Sequence, residues 1–207
     1  MDMPNAEFWN ERFAADSDSG TSLFAGEPNA TIAKHVEAIR ASFSEGETPR
    51  AIDLGSGRGR HTVWLTRSGW STTALDFSSV GLEHTAAILD HEGLDAELVE
   101  GDLTQWNPEP SSFELVLASF IHLPPAQQHR LWEMVASALV PGGYLVSVSH
   151  HPDNQIHGPK NPELLYTAKD VVAAFGDTFE VIAAERDVVK RVEDREAVDT
   201  VVVLRKR

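Results

Sequence analysis

The sequence predicts an α/β fold: a parallel sheet with helices on both faces, finished by a C-terminal antiparallel hairpin. Three observations predict it. Short apolar runs alternate with segments of helical period along most of the chain, which is the pattern of successive βα units. The run from Phe113 to Ala118 is apolar almost without interruption, as suits a strand buried on both faces of a sheet. Beyond Phe179 two β-rich runs flank a charged turn with no helical segment between them, so the last two strands should run antiparallel.

The elements follow in order. After Pro28 and Asn29, the residues Ile32, Val36, Ile39 and Phe43 lie on one helical stripe that Gly46 and Pro49 end. A strand over Ala51 to Leu54 and a helix from Arg58 to Ser68 come next, the helix stopped by Gly69. Ser71 to Asp76 reads as a second strand, opening on small and β-branched residues. Ser78 or Ser79 caps the following helix, which runs to Gly93. Ala96 to Glu100 and Phe113 to Ala118 are the third and fourth strands. Pro124 and Pro125 open a helix whose Leu131, Met134, Val135, Ala138 and Leu139 form an apolar stripe before Pro141, Gly142 and Gly143. Tyr144 to Ser149 is the fifth strand, and His150 to Pro162 reads as a loop. Thr167 and Asp170 suit a capping box on a short helix ending at Phe175. Phe179 to Val189 and Ala197 to Leu204 make the hairpin, turning at Glu193 to Glu196.

With 207 residues, 42% of them hydrophobic, the chain suffices for one substantial core and not two. We expect a single domain over 1–207, with 1–48 as a helical cap and 49–207 as a ligand-binding core. No apolar run is long enough to span a bilayer, and the N-terminus lacks a signal-peptide pattern, so the expected location is cytoplasmic. The absence of cysteine excludes disulfides, thiolate metal sites and cysteine nucleophiles. A formal charge of −15 argues against a nucleic-acid partner, since neutralising phosphates takes clustered Lys and Arg.

The strongest local signal is AIDLGSGRGR: a strand ending near Asp53, glycines at 55, 57 and 59, then a helix. Gly55 can take the positive φ of a tight turn, and Gly57 lets a ligand approach the backbone. A helix N-terminus at such a turn presents amides suited to an anionic group. One glycine triplet alone is weak evidence, but the second strand ends in Asp76 and the third is followed by Asp102. A carboxylate in the first of these places can accept both hydroxyls of a ribose. A dinucleotide site would carry a further glycine or alanine where this chain has Arg60. The turn therefore fits an adenosine ligand without phosphates better than NAD.

DLGSGRG, LDF with Asp76, EGD with Asp102, FELVLASF and LVPGGYLV closely resemble, in order and spacing, the motifs of class I S-adenosylmethionine-dependent methyltransferases. The resemblance covers residues 50 to 207. WNERF, LFAGEPN and IHLPP are similar to a subgroup near the tellurite-resistance-type methyltransferases. Glu114 departs from the Asp that often begins the fourth strand in the family. The resemblance implies a Rossmann-like sheet with S-adenosyl-L-methionine as cofactor and S-adenosyl-L-homocysteine as product. It implies that Gly55, Ser56 and Gly57 face the methionine moiety, with Asp53 toward its ammonium. Asp76 would hold the ribose, and Phe77 would pack beside the adenine. Asp102 and the Leu103 backbone would take the adenine amino edge, with Ser119 and Phe120 lining the space around sulfonium and adenosine.

Methyl transfer from a sulfonium asks chiefly for orientation and exclusion of water. His122, past the fourth strand, is the candidate for a general base or an acceptor contact; otherwise it bonds a loop carbonyl beside Pro124. His150, His151 and His157, with Asp153, admit a metal reading, but adjacent histidines on an extended chain point apart, and a loop lining the acceptor pocket suits them better. Trp9, Phe13 and Phe24 either fold over the cofactor as a lid or clasp the N-terminal helix to the sheet, with Glu27, Pro28 and Asn29 at a polar edge. Trp106 and Trp132 read as packing residues. Three functions remain open: methylation of a small-molecule acceptor, a non-catalytic cofactor-binding module working through a partner, and an NAD-dependent oxidoreductase.

Overall fold

The computed structural model describes residues 5–19 and 26–207. Its sheet has seven strands: β1 (Arg50–Leu54), β2 (Ser71–Asp76), β3 (Glu97–Glu100), β4 (Phe113–Ser119), β5 (Leu139–His150), β6 (Phe179–Val192) and β7 (Arg195–Lys206). Their order is β3-β2-β1-β4-β5-β7-β6. β1 to β5 are parallel, and β7 runs antiparallel to both β5 and β6. Because the chain steps outward from β1 to β3 and then returns to place β4 beside β1, the strand order reverses between β1 and β4. In such sheets that switch point opens a crevice at the carboxyl ends of the strands.

The strand period of two separates the core into two layers. Ile52, Leu54, Val116, Ala118 and Leu145 face α5 (Pro125–Ala138) and α6 (Ala168–Phe175), where Leu131, Trp132, Val135, Val171 and Phe175 are buried. Ala51, Leu115, Leu117, Val146 and Val148 face α2 (Ala30–Arg40) and α3 (Arg60–Arg67), represented by Ile32, Val36, Ile39 and Leu65. Helices thus cover both faces. α4 (Ser79–Glu92) packs against β2, β3 and α3, and α1 (Ala6–Ser19) packs against α4. Trp106 and Trp132 belong to the apolar layer under α5 and α6. No helix among the described residues is long and apolar enough to cross a membrane.

Local chemistry accounts for most boundaries. Asn29 caps α2 by accepting from the amides of Thr31 and Ile32 at 3.0 and 3.2 Å, Ser78 caps α4 through the Gly81 amide at 3.1 Å, and Thr167 with Asp170 forms the expected capping box on α6. Glu114 accepts from the Arg50 amide at 2.7 Å and from its guanidinium, tying the start of β1 to β4.

Four boundaries differ from expectation. α3 begins at Arg60 and not Arg58, because Gly59 sits at φ 79° in the left-handed region and caps the helix instead of joining it. α2 ends at Arg40, leaving Phe43 outside the helix, where its ring meets Trp70 edge-on at 5.7 Å. β5 starts at Leu139: the chain pairs with Phe113, bulges through Pro141 to Gly143 and rejoins β4 at Tyr144. The hairpin turn is tighter than expected, since Val192 already pairs with Arg195 and Glu193 takes φ 55°.

Candidate active site

The crevice is built around the turn after β1. The amides of Gly55 and Ser56 donate to the Leu75 carbonyl at 2.8 and 3.2 Å, Gly57 donates to Asp76 Oδ2 at 2.8 Å, and Gly59 donates to the Ser56 carbonyl at 3.0 Å. Gly55 and Gly57 take φ values of 64° and 56°, where glycine alone avoids strain. These four amides are therefore engaged within the protein, while the N-terminus of α3 itself carries no side-chain cap at Gly59. The third glycine has a packing role that the sequence did not reveal. A Cβ at Gly59 would stand 2.4 Å from Thr85 Oγ1 of α4, so this residue lets α3 and α4 approach.

Asp53 and Asp76 flank the turn. Asp53 is completely buried on the α3 side; its Oδ2 accepts from the Thr62 hydroxyl at 2.8 Å and its Oδ1 has no partner. Burial pushes its carboxyl up to about 7. Ser56 Oγ is likewise buried and unpartnered. Two orphaned polar atoms at the end of β1 and in the turn after it ask for an outside partner, and a carboxylate and a hydroxyl are both groups that can accept from an ammonium. Asp76 is 5% exposed, with one oxygen on the Gly57 amide and the other on the Ser78 amide at 2.8 Å. A carboxylate offers about four lone-pair sites, so each oxygen retains capacity for a hydroxyl. Burial raises its carboxyl above the ordinary range.

The remaining candidates line the same end of the sheet. Phe77 follows Asp76 and is half-buried. Asp102 caps a short helical turn by accepting from the Thr104 amide at 2.8 Å, and Leu103 is buried against the glycine turn, its Cδ1 3.7 Å from where a Gly55 Cβ would lie. Ser119 ends β4, and Phe120 follows it at φ 55°. A bulky aromatic residue in the left-handed region is strained by about 1 to 3 kcal/mol, a condition that clusters at functional sites.

His61 went unnoticed in the sequence, where nothing in its spacing marks it. It is buried in the first turn of α3; Nε2 accepts from the Asn29 amide at 3.2 Å and Nδ1 lies 3.3 Å from Ser119 Oγ. Desolvation lowers it to about 3, so the neutral ring joins the α2 cap to the end of β4. From the other side, α1 covers the glycine turn. Phe13 is buried, its ring 3.4 Å from where a Gly57 Cβ would stand and 3.3 Å from the same point at Gly81. Asn10 Oδ1 accepts from the Ser78 hydroxyl at 2.6 Å. Trp9 stacks at 5.4 Å on Phe13, while Phe24 lies outside the described residues.

His122 bonds a carbonyl, but that of Leu164 and not one beside Pro124. Nδ1 donates at 3.0 Å, and Nε2 is sealed from solvent without a partner. Desolvation outweighs that bond and lowers the ring to about 4. The adjacent histidines part as expected of an extended chain: His150 stacks on His122 with centroids 5.3 Å apart and planes 7° apart, whereas the His151 ring accepts from the Asp153 amide at 3.0 Å. His157 stands 6.5 Å from His150 by ring centroids. Tyr166 donates to the Ile121 carbonyl at 3.0 Å, and burial pushes its phenol up to about 12. Among the described residues no three His, Asp or Glu side chains gather as a metal site.

Residues 51–143 match a family model described as a methyltransferase domain. The chain is 29% identical over 114 residues to the ribosomal RNA small subunit methyltransferase C of Alcanivorax borkumensis, covering 51% of this chain and 33% of that one. It is 29% identical over 126 residues to the carboxy-S-adenosyl-L-methionine synthase of Pseudomonas savastanoi pv. phaseolicola, covering 56% and 51%. The match thus spans about half or less of the length of these curated relatives. Among solved structures, the 1,6-didemethyltoxoflavin-N1-methyltransferase of Burkholderia thailandensis, with bound 1,6-didemethyltoxoflavin and S-adenosylhomocysteine, superposes with a TM-score of 0.68 at 18% identity, covering 100% of this chain and 91% of that one. TehB from Haemophilus influenzae superposes at 0.68 with 14% identity, covering 98% and 67%.

Proposed function

We propose that this protein, whose residues 51–143 match a methyltransferase-domain model, transfers the methyl group of S-adenosylmethionine to a small-molecule acceptor by in-line displacement. One observation carries the reading: the turn amides are already satisfied, while Asp53 Oδ1 and Ser56 Oγ are buried without partners. A dinucleotide phosphate needs the first set free. An amino-acid end needs the second.

In this proposal Asp53 and Ser56, with Gly55 and Gly57, hold the methionine moiety. Asp76 takes the ribose diol with its spare lone pairs, Phe77 packs beside the adenine, and Asp102 and Leu103 receive its amino edge. Ser119 and Phe120 line the reacting end. The cap role expected of residues 1–48 falls in this proposal to α1, whose Phe13 and Asn10 close over the glycine turn, whereas Ile32, Val36 and Ile39 of α2 belong to the core of the sheet. The bound cofactor supplies an electrophilic methyl group on a sulfonium. The residues around it orient the acceptor and exclude water, and proximity of this kind supplies roughly 7 to 11 kcal/mol of a barrier.

The charge of −15 favours a small acceptor over a polyanion, although one relative is named for ribosomal RNA. The test is a panel of small acceptors and RNA with radiolabelled methyl donor. Label in a small molecule and none in RNA is the expected result. Cofactor binding without turnover on any acceptor would favour the non-catalytic module.

A further inference from the structure

We propose that His150 and Asp199 form the proton-accepting pair of this active site, and that they serve an acceptor carrying a weakly acidic O–H on a flat aromatic ring. The proposal rests on the methyl-transfer reading above and adds to it the base and the acceptor class.

The sheet register builds the pair. His150 ends β5, and its partner across the antiparallel ladder is Asp199 of β7. Directly opposed residues project to the same face, and Asp199 Oδ1 lies 3.4 Å from His150 Nδ1. Asp199 is 4% exposed, so its carboxylate has little water to screen it. Asp187 of β6 is opposed to Asp199 in turn and is half-buried, its carboxylate bonded to Thr31 Oγ1 at 3.3 Å. Like charges opposed on neighbouring strands destabilise each other. A cation formed on His150 relieves that.

The ring is held from several sides. His122 stacks on it from the segment after β4, and the strained Phe120 meets it at 4.8 Å. From the loop after β5, Asn154 Nδ2 lies 3.3 Å from Nδ1, and the His157 ring is near. Gly158, at φ 84°, approaches so closely that a Cβ there would stand 2.3 Å from His150 Cδ2. With the Nδ1 hydrogen given to Asp199 and the Asn154 amide given to the Val198 carbonyl at 2.9 Å, the edge left to a ligand is Nε2, and the side chain stays 17% exposed. His122 differs in that its Nδ1 is committed to the Leu164 carbonyl, while its Nε2, like Asp53 Oδ1, is buried without a partner. It is a positioning residue that backs the His150 ring.

The tilted ring of Phe120 and the stacked rings of His122 and His150 make an aromatic wall one strand away from Ser119, at the end of the sheet where the cofactor site is proposed. An imidazole takes protons efficiently from groups not far above its own range, which includes phenols and excludes aliphatic alcohols. In the reaction the acceptor O–H bond breaks and its proton passes to His150 Nε2. The freed oxygen pair forms the bond to the methyl carbon, and the methyl–sulfur bond breaks with its electron pair left on the neutral thioether. Asp199 stabilises the imidazolium until its proton returns to solvent.

The test uses 4-nitrophenol with the full-length protein saturated with S-adenosylhomocysteine, at a pH about one unit below the free phenol's own ionisation. Phenolate absorption on binding is the expected result in the wild type. His150→Gln should abolish it and Asp199→Asn should weaken it about tenfold, with S-adenosylhomocysteine affinity kept within about threefold in both. His122→Ala should weaken the signal, and His122→Phe, which restores a flat ring, should recover it. In a parallel assay with methyl donor, His150→Gln should lower transfer to the phenol by ~10²-fold or more. Phenol bound in its neutral form, no phenol binding, or an unchanged signal in both His150→Gln and Asp199→Asn would overturn the proposal. Phenolate formation needs no methyl donor, so a protein that ionises the phenol but methylates nothing would refute the methyl-transfer reading and leave this pair standing.

Discussion

Protonation of Asp53 should govern how tightly the cofactor binds. The residue is wholly buried, one oxygen is taken by Thr62, the other is unpartnered, and burial pushes its carboxyl up to about 7. Against an unfolded value of about 3.9 this is roughly three units, or about 4 kcal/mol against the ionised form in the unliganded protein. A raised folded pKa means that the folded chain holds the proton more tightly. Its stabilising contribution is therefore full below about pH 4 and lost as the pH rises to about 7. An ammonium at Oδ1 favours the carboxylate, so binding releases the proton and affinity climbs with pH until it levels above about 7. The ionised fraction is about one tenth at pH 6 and nine tenths at pH 8, which predicts about tenfold tighter binding of S-adenosylhomocysteine at pH 8. His61 at about 3 and His122 at about 4 stay neutral across that window and add no slope. Asp53→Asn keeps the shape and removes the titration, so its affinity should be flat with pH and weaker than wild type at pH 8. Calorimetric titrations at three pH values, in buffers of different ionisation enthalpy, read both the dissociation constant and the proton released. A wild-type affinity unchanged between pH 6 and pH 8, with no proton release, refutes the reasoning.

Two further outcomes follow from the geometry of the turn. Gly59→Ala places a residue in the left-handed region, at about 1 to 2 kcal/mol, and drives its Cβ into Thr85, at about 1 to 3 kcal/mol of overpacking. Urea unfolding should show a loss of about 2 to 5 kcal/mol, of which Thr85→Ala in the same chain restores only a fraction of the overpacking part, because the Cβ of residue 85 would itself stand 2.8 Å from the new one; a loss under about 0.5 kcal/mol would contradict this. Asp76→Asn should weaken S-adenosylhomocysteine binding at least about tenfold. It should also lower stability by about 1 to 3 kcal/mol, because the carboxylate holds the Gly57 and Ser78 amides as well. Calorimetry giving wild-type affinity in a folded Asp76→Asn protein would remove the residue from the site.

The parts of the fold legible in the sequence were those fixed by local chemistry. The apolar run of β4 announced a strand buried on both faces, and Ser78, Thr167 and Asp170 announced helix starts through their own backbone bonds. The tight turn after β1 was legible because Gly55 takes the positive φ it needs, while Gly57, read as room for a ligand, takes a positive φ as well. What stayed hidden depended on partners distant in sequence. Gly59 could not be read as a packing residue without Thr85, which reaches it only when α3 and α4 come together. Nor could the early breaks at Gly59 and Arg40 be told from a helical stripe that continues past both. His61 looks like an ordinary helical residue until the Asn29 amide and Ser119 meet its two nitrogens. His150 and Asp199 are opposed only by the antiparallel register of β5 and β7, whereas His122, which the sequence singled out, has its free nitrogen sealed.

The most direct measurement is thermal unfolding with S-adenosylhomocysteine, NAD and NADP, each added separately to the same protein. At about 100 times its dissociation constant a ligand adds about 2.7 kcal/mol, which for a domain of this size raises Tm by roughly 5 to 10 °C. The saturated turn amides and the orphaned Asp53 and Ser56 atoms predict that rise with S-adenosylhomocysteine and none with either dinucleotide. A rise with NAD or NADP and none with S-adenosylhomocysteine would contradict the account.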